Sequence, residues 1–132
     1  MKSPARSKLI PEEKPDPSKY RNVRVEDDGY KFDSKAEHRR YKNLCLLQKA
    51  NEIADLEVHP KYVILDSFKD RKGKTIRKIT YEADFQYTDI RTGETIVEDV
   101  KGVETAVFKI KKKMFLKRYP EYEFVIVKSK EV

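Results

Sequence analysis

Residues 81–102 read YEADFQYTDIRTGETIVEDVKG. The turn Arg91-Thr92-Gly93-Glu94 divides this stretch into two β-type runs. The first reads back to Ile79, with apolar or aromatic side chains at 79, 81, 83, 85 and 87, and predicts one long strand over 79–87. The second predicts a strand over 95–101. A short turn joins them, so they are expected to pair as a hairpin. Each run holds an acid where a sheet wants an apolar group: Asp84 between Ala83 and Phe85, and Asp99 beside Val100.

Side chains alternate along a strand, so Asp99 and Lys101 share a face while Val100 points the other way. Across the hairpin, Asp84 is expected within a few ångströms of Asp99. Two carboxylates that close raise each other's pKa, and holding both charged in a half-buried sheet is costly without a cation. A hard divalent ion resolves the conflict. Mg²⁺ takes oxygen ligands at about 2.0–2.1 Å, and Mn²⁺ can substitute. The Val100 backbone carbonyl is a further candidate ligand. Lys101 would orient or help deprotonate a water, or stabilise charge developing on a phosphate.

Upstream, Ser34-Lys35-Ala36-Glu37 has the spacing of a capping box and starts a helix running to about Ala50. Glu37 lies four residues before Tyr41 and seven before Leu44, on the face that turns inward. Its place in the capping box explains a glutamate there without any metal, and the two roles are compatible. Before the helix, a short hairpin is expected around Asp28-Gly29. After it, strands are expected on either side of His59-Pro60. The two histidines, His38 and His59, lack ligand spacing and read as surface or packing residues. Cys45 reads as core.

A basic loop over 69–78, with a turn at Gly73, offers Lys72 and Lys74 to a polyanion. Gly73-Lys74-Thr75 resembles the tail of a phosphate-binding loop, but Phe68 stands where the first glycine belongs, so no nucleotide cofactor is expected. Downstream, Thr105 is the expected N-cap of a helix to about Arg118, stopped by Pro120. Its run KIKKKMFLKR holds six basic residues and no acid. Val107, Ile110 and Met114 are read as its apolar stripe, and Lys109, Lys112 and Lys113 as a face that tracks phosphates. A strand over 122–127 closes the chain. The order of elements predicts α/β, with helices packed on a mixed sheet of about four strands.

The 132 residues suit one domain, over 20–132, preceded by an arm over 1–19 that holds four of the six prolines. That arm cannot bury enough apolar area to offset its ordering entropy, so it is expected to be flexible. A net charge of +7 suggests a polyanionic partner. The single cysteine allows no disulfide framework and fits a reducing cytoplasm. No apolar run reaches the roughly 20 residues of a membrane span, and no secretion signal opens the chain.

Glu37, Asp84 and Asp99-Val100-Lys101, in that order, resemble the PD-(D/E)XK nuclease superfamily, and in particular its small phage and prophage members. The phrases YKFDSKAEHRRY, ITYEADFQY, VEDVKG and YPEYEFVIV carry the likeness, which covers roughly residues 19–128. It implies a single-domain restriction-endonuclease-like fold and Mg²⁺-dependent hydrolysis of DNA in phage or prophage replication, recombination or processing, with branched or flap DNA as candidate substrates. Asp84 and Asp99 would be metal ligands, Lys101 the catalytic lysine, and Glu37 an accessory acid reaching the metal or its water. Ala83 stands where the superfamily's label has proline, which has no chemical role. Glu98, expected on the opposite face from Asp99, is the second choice for the acid. A homodimer suits cutting of two strands. The alternatives are a non-catalytic nucleic-acid-binding module on the same scaffold and a protein–protein adaptor working through the arm.

Overall fold

A computed structural model of the chain describes residues 24–132, so the arm expected over 1–19 lies outside the described residues. Asp28 and Gly29 both take positive φ, 53° and 82°. That backbone suits a tight two-residue hairpin turn, and it joins β1 (Val25–Asp27) to β2 (Tyr30–Phe32) in antiparallel register. Ser34 then caps α1 (Lys35–Lys49), its side-chain oxygen accepting the Glu37 N–H at 3.1 Å.

β3 (Ile53–Val58) and β4 (Lys61–Leu65) follow, then a small hairpin of β5 (Phe68–Lys69) and β6 (Thr75–Ile76). β7 (Ile79–Glu82), β8 (Phe85–Asp89) and β9 (Thr95–Lys101) lead to α2 (Ala106–Arg118), capped by Thr105, and to β10 (Glu123–Lys128). The main sheet is mixed and four-stranded, in the order β10–β9–β8–β3. β10 runs parallel to β9, and the other pairs are antiparallel. Parallel neighbours need a crossover, and α2 supplies it.

The two α-helices of the described residues cover opposite faces. Tyr41 and Leu44 of α1 pack with Phe32, Phe85, Tyr87 and Val100. Phe108 and Phe115 of α2 pack with Tyr62, Tyr81 and Val97. Rings contribute much of the second cluster, with Phe115 4.9 Å from Tyr62 and 5.4 Å from Phe124.

Two expectations need correction. The single strand over 79–87 is two strands in different sheets. Ile79, Tyr81 and Ala83 face α2, whereas Phe85 and Tyr87 face α1. An unbroken pleat would keep all five on one side, so the chain turns over at Ala83–Asp84. Its partner breaks at the same level. The register Val58↔Phe85 resumes as Lys61↔Glu82. Between these pairs the His59 N–H donates to the Asp84 carbonyl at 2.9 Å and the Ala83 N–H to the Pro60 carbonyl at 3.0 Å. β3–β4 and β7–β8 therefore form one long ladder bent across a shared corner.

The inward stripe of α2 also differs from expectation. Val107 and Ile110 are 63% and 60% exposed, and Phe108 and Phe115 are buried in their place, with Met114 partly buried beside them. Phe108 and Phe115, seven residues apart, recur on one helical face. Their larger apolar area, set against the Tyr62 and Tyr81 rings, decides which side turns in. Among the described residues, no helix is long and apolar enough to cross a membrane.

Candidate active site

The corner places the acids. β8 and β9 pair Phe85 with Glu98, so one further step sets Asp84 opposite Asp99. On its other side, the ladder that pairs Phe85 with Val58 sets Asp84 opposite His59. His59, Asp84 and Asp99 thus form a row across three strands.

Each carboxylate has a different set of partners. Asp84 Oδ2 accepts the Val100 N–H at 2.7 Å. In an extended strand the N–H and C=O of one residue point to the same edge, so the Val100 carbonyl is also turned toward Asp84. Asp99 is only 3% exposed. It accepts from the Tyr81 hydroxyl, and Lys101 Nζ lies 3.3 Å from its Oδ1. The shared face of Asp99 and Lys101, expected from strand alternation, is observed. Lys101 Nζ also sits 4.3 Å from the centre of the Phe108 ring, where a cation is attracted to the π face.

Glu37 comes from the first turn of α1 and is 9% exposed. Half of its capping box forms, through its own N–H to Ser34. Among the described residues its buried Oε1 has no hydrogen-bond partner. Burial, then the charge of Asp33 and, less strongly, that of Asp99, pushes the Glu37 carboxyl up to about 7, against a hydrogen bond from the Asp33 backbone and a smaller pull from Lys101. Burial, then Asp99 and Glu37, pushes the Asp84 carboxyl up to about 9.

A carboxylate oxygen from each of Glu37 and Asp84 and a ring nitrogen of His59 lie within 4.8 Å of one another. Sequence spacing gave no hint of His59, because its neighbours in the cluster are 22 and 25 positions away. The available signal was strand register: His59-Pro60 interrupts one strand at the level where Asp84 interrupts its partner.

Glu98 belongs elsewhere. It is 1% exposed and points to the α1 face, where Arg40 Nε and Nη2 bind it at 2.8 and 2.6 Å and the Tyr87 hydroxyl donates to it. Of the expected phosphate-binding lysines, Lys109 shares a surface cavity of about 430 Å³ with Lys101. Lys128 and Lys130, not singled out in the sequence, line it too. Lys112 and Lys113 follow along α2, half-buried and exposed. Lys72 and Lys74 sit exposed at the β5–β6 turn, where Asp70 Oδ1 accepts both of their N–H groups at 2.9 Å. That turn lies at the far end of the β4–β7 arm, outside the carboxylate cluster.

A family model described as "Protein of unknown function (DUF1064)" matches residues 17–132. No curated protein and no solved structure matches the chain.

Proposed function

We propose that this chain, which belongs to the DUF1064 family of proteins of unknown function, is a metal-dependent DNA endonuclease of restriction-endonuclease-like fold. One observation carries the reading. Glu37, whose buried Oε1 has no hydrogen-bond partner among the described residues, brings its carboxylate beside Asp84, with Asp99 opposite Asp84 and Lys101 against Asp99.

Three carboxyl groups against one lysine make a net negative cluster once they ionise, in a partly buried site. That donor set fits a divalent cation. Glu37, Asp84 and Asp99 would hold it, with the Val100 carbonyl turned to the same place. Bound Mg²⁺ or Mn²⁺ would neutralise the acids and polarise a scissile phosphate.

The chain's own groups account for the rest. The Val100 N–H fixes one Asp84 oxygen and leaves the other to be presented in a set direction. Asp99 and the Phe108 ring fix the Lys101 ammonium from two sides, which suits it to orient the attacking water and to meet charge growing on the phosphate. Lys109, Lys112 and Lys113, with Lys128 and Lys130, would grip the DNA backbone, giving steep salt dependence and little base readout. The single cysteine accords with work in a reducing bacterial cytoplasm, for a chain of phage or prophage origin.

A non-catalytic DNA-binding module is the second reading. It is favoured by the Tyr81 and Lys101 partners of Asp99, which satisfy that carboxylate without an ion.

The test is cleavage of linear, nicked, flap and four-way DNA with Mg²⁺, Mn²⁺ or Ca²⁺, using the wild type and Lys101→Met. Methionine keeps the apolar stem over Phe108 and removes the charge. Loss of cleavage by about 100-fold or more, the scale of a missing proton-handling group, with DNA binding kept, supports the enzyme. Undiminished cutting by Lys101→Met removes the assignment.

A further inference from the structure

We infer that His59 is a nitrogen ligand of the divalent ion, and that it tilts the site toward Mn²⁺ over Mg²⁺. The inference rests on the metal-holding part of the nuclease reading and is independent of hydrolysis.

Strand register alone sets His59 opposite Asp84, with its N–H on the Asp84 carbonyl at 2.9 Å. The two residues are locked together through the backbone, so their side chains are presented side by side. His59 also takes φ +57°. A histidine is strained there, and such strain is retained where the surrounding structure over-determines it. Pro60 follows and offers no N–H. The corner thus turns the ring out of the regular pleat, to 5.9 Å from Phe32 and into reach of Glu37 from α1.

The spacing of the three donors is informative. They lie within 4.8 Å of one another, yet no ion pair within 4.0 Å joins His59 to Glu37 or Asp84 among the described residues. The groups have converged without closing on each other. Two donors each about 2.1 Å from one ion stand at most about 4.2 Å apart, so binding an ion would draw these groups slightly inward. Among the described residues the buried Glu37 Oε1 has no hydrogen-bond partner, an independent sign that something other than a protein donor belongs beside this carboxylate. The other histidine is not a rival, because His38 Nε2 is held by Asp27 at 2.8 Å.

An imidazole changes which ion is favoured. Mg²⁺ and Ca²⁺ prefer all-oxygen shells, whereas transition ions accept nitrogen readily. With that imidazole added to Glu37, Asp84 and Asp99, the site should hold Mn²⁺ more tightly than Mg²⁺.

The experiment loads the metal-free full chain with Mn²⁺ and records pulsed electron paramagnetic resonance for ¹⁴N coupling. Thermal melts titrated with Mn²⁺ and with Mg²⁺ accompany it. The variants are His59→Asn, which tolerates the left-handed backbone, and Glu37→Gln. Support is a directly bonded nitrogen in the wild type that vanishes in His59→Asn. With it, half-saturation by Mn²⁺ should weaken by about tenfold or more while that by Mg²⁺ moves much less. Glu37→Gln should weaken both ions. An oxygen-only spectrum in the wild type, or an unchanged Mn²⁺ to Mg²⁺ ratio in His59→Asn, overturns the inference. If His59→Asn does not fold, the wild-type spectrum decides alone. Oxygen-only Mn²⁺ with DNA still cut defeats His59 and leaves the nuclease standing. Bonded nitrogen with no DNA cut supports His59 and removes the nuclease.

Discussion

Asp84 Oδ2 accepts the Val100 backbone N–H at 2.7 Å, where the β8–β9 ladder opens at its end. The carboxylate thus stands in for a missing carbonyl of the sheet and also faces Asp99 and Glu37. Asparagine can keep the first role, since its side-chain oxygen also accepts an N–H, but it carries no charge. Asp84→Asn should abolish divalent-ion stabilisation and Mg²⁺-dependent cleavage. Without metal it should melt at or a few degrees above the wild type, because burial already favours a neutral group at this position. Asp84→Ala should lose both roles and melt lower. Thermal melts with and without Mg²⁺ separate the two variants, and an Asp84→Asn protein still stabilised by Mg²⁺ would show that the ion does not need this acid.

The raised Glu37 and Asp84 carboxyls set the pH response of the metal-free chain. Both hold their proton more tightly when folded than their ordinary values of 4.5 and 3.8 allow in the unfolded chain. Below those ordinary values both groups are neutral in either state and impose no penalty. As pH rises, the unfolded chain releases the protons first, so folding grows less favourable. Metal-free stability should therefore fall from about pH 4 through about pH 7, where Glu37 ionises, and level off above about pH 9, where Asp84 does. Saturating Mn²⁺ should flatten the decline, since the bound ion favours the charged carboxylates. Melting points across this range, with and without Mn²⁺, check both slopes.

The fold was legible in the sequence wherever the signal was local. Ser34 and Thr105 start their helices, Asp28-Gly29 turns its hairpin, and 85–88 pairs with 95–98 across the expected turn. Asp99 and Lys101 share a face because alternation fixes neighbours two apart. What escaped was the consequence of a bend. Period-two reading cannot show a strand turning over at Ala83–Asp84, since the apolar spacing runs on unchanged while the face served switches from α2 to α1. His59 escaped for the same reason, because its nearness to Asp84 lies in the long-range pairing of 53–65 with 79–89. On α2 the stripe through Val107 and Ile110 lost to Phe108 and Phe115, a competition decided by ring area against the Tyr62 and Tyr81 rings.

Glu98 neighbours Asp99 in sequence but turns to the other face of the sheet, so its substitution should affect stability and leave metal binding alone. Its carboxylate is buried and takes two bonds from Arg40 and one from the Tyr87 hydroxyl. Removing one partner of a buried pair strands the other charge, at about 3–5 kcal/mol. Arg40 is partly exposed, which places Arg40→Met near the lower end, at about 3 kcal/mol and a melting point lower by about 10 °C. Replacing both groups by apolar ones removes the stranded charge, so Arg40→Met/Glu98→Met should recover much of that loss, short of full recovery because the Tyr87 hydroxyl loses its acceptor. Denaturant melts of the two single variants and the double variant give the coupling directly. Through all of them the Mn²⁺-induced rise in melting point should persist. Its loss in Arg40→Met at a temperature where the variant is still folded would mean that the α1-side pair and the carboxylate cluster are not independent.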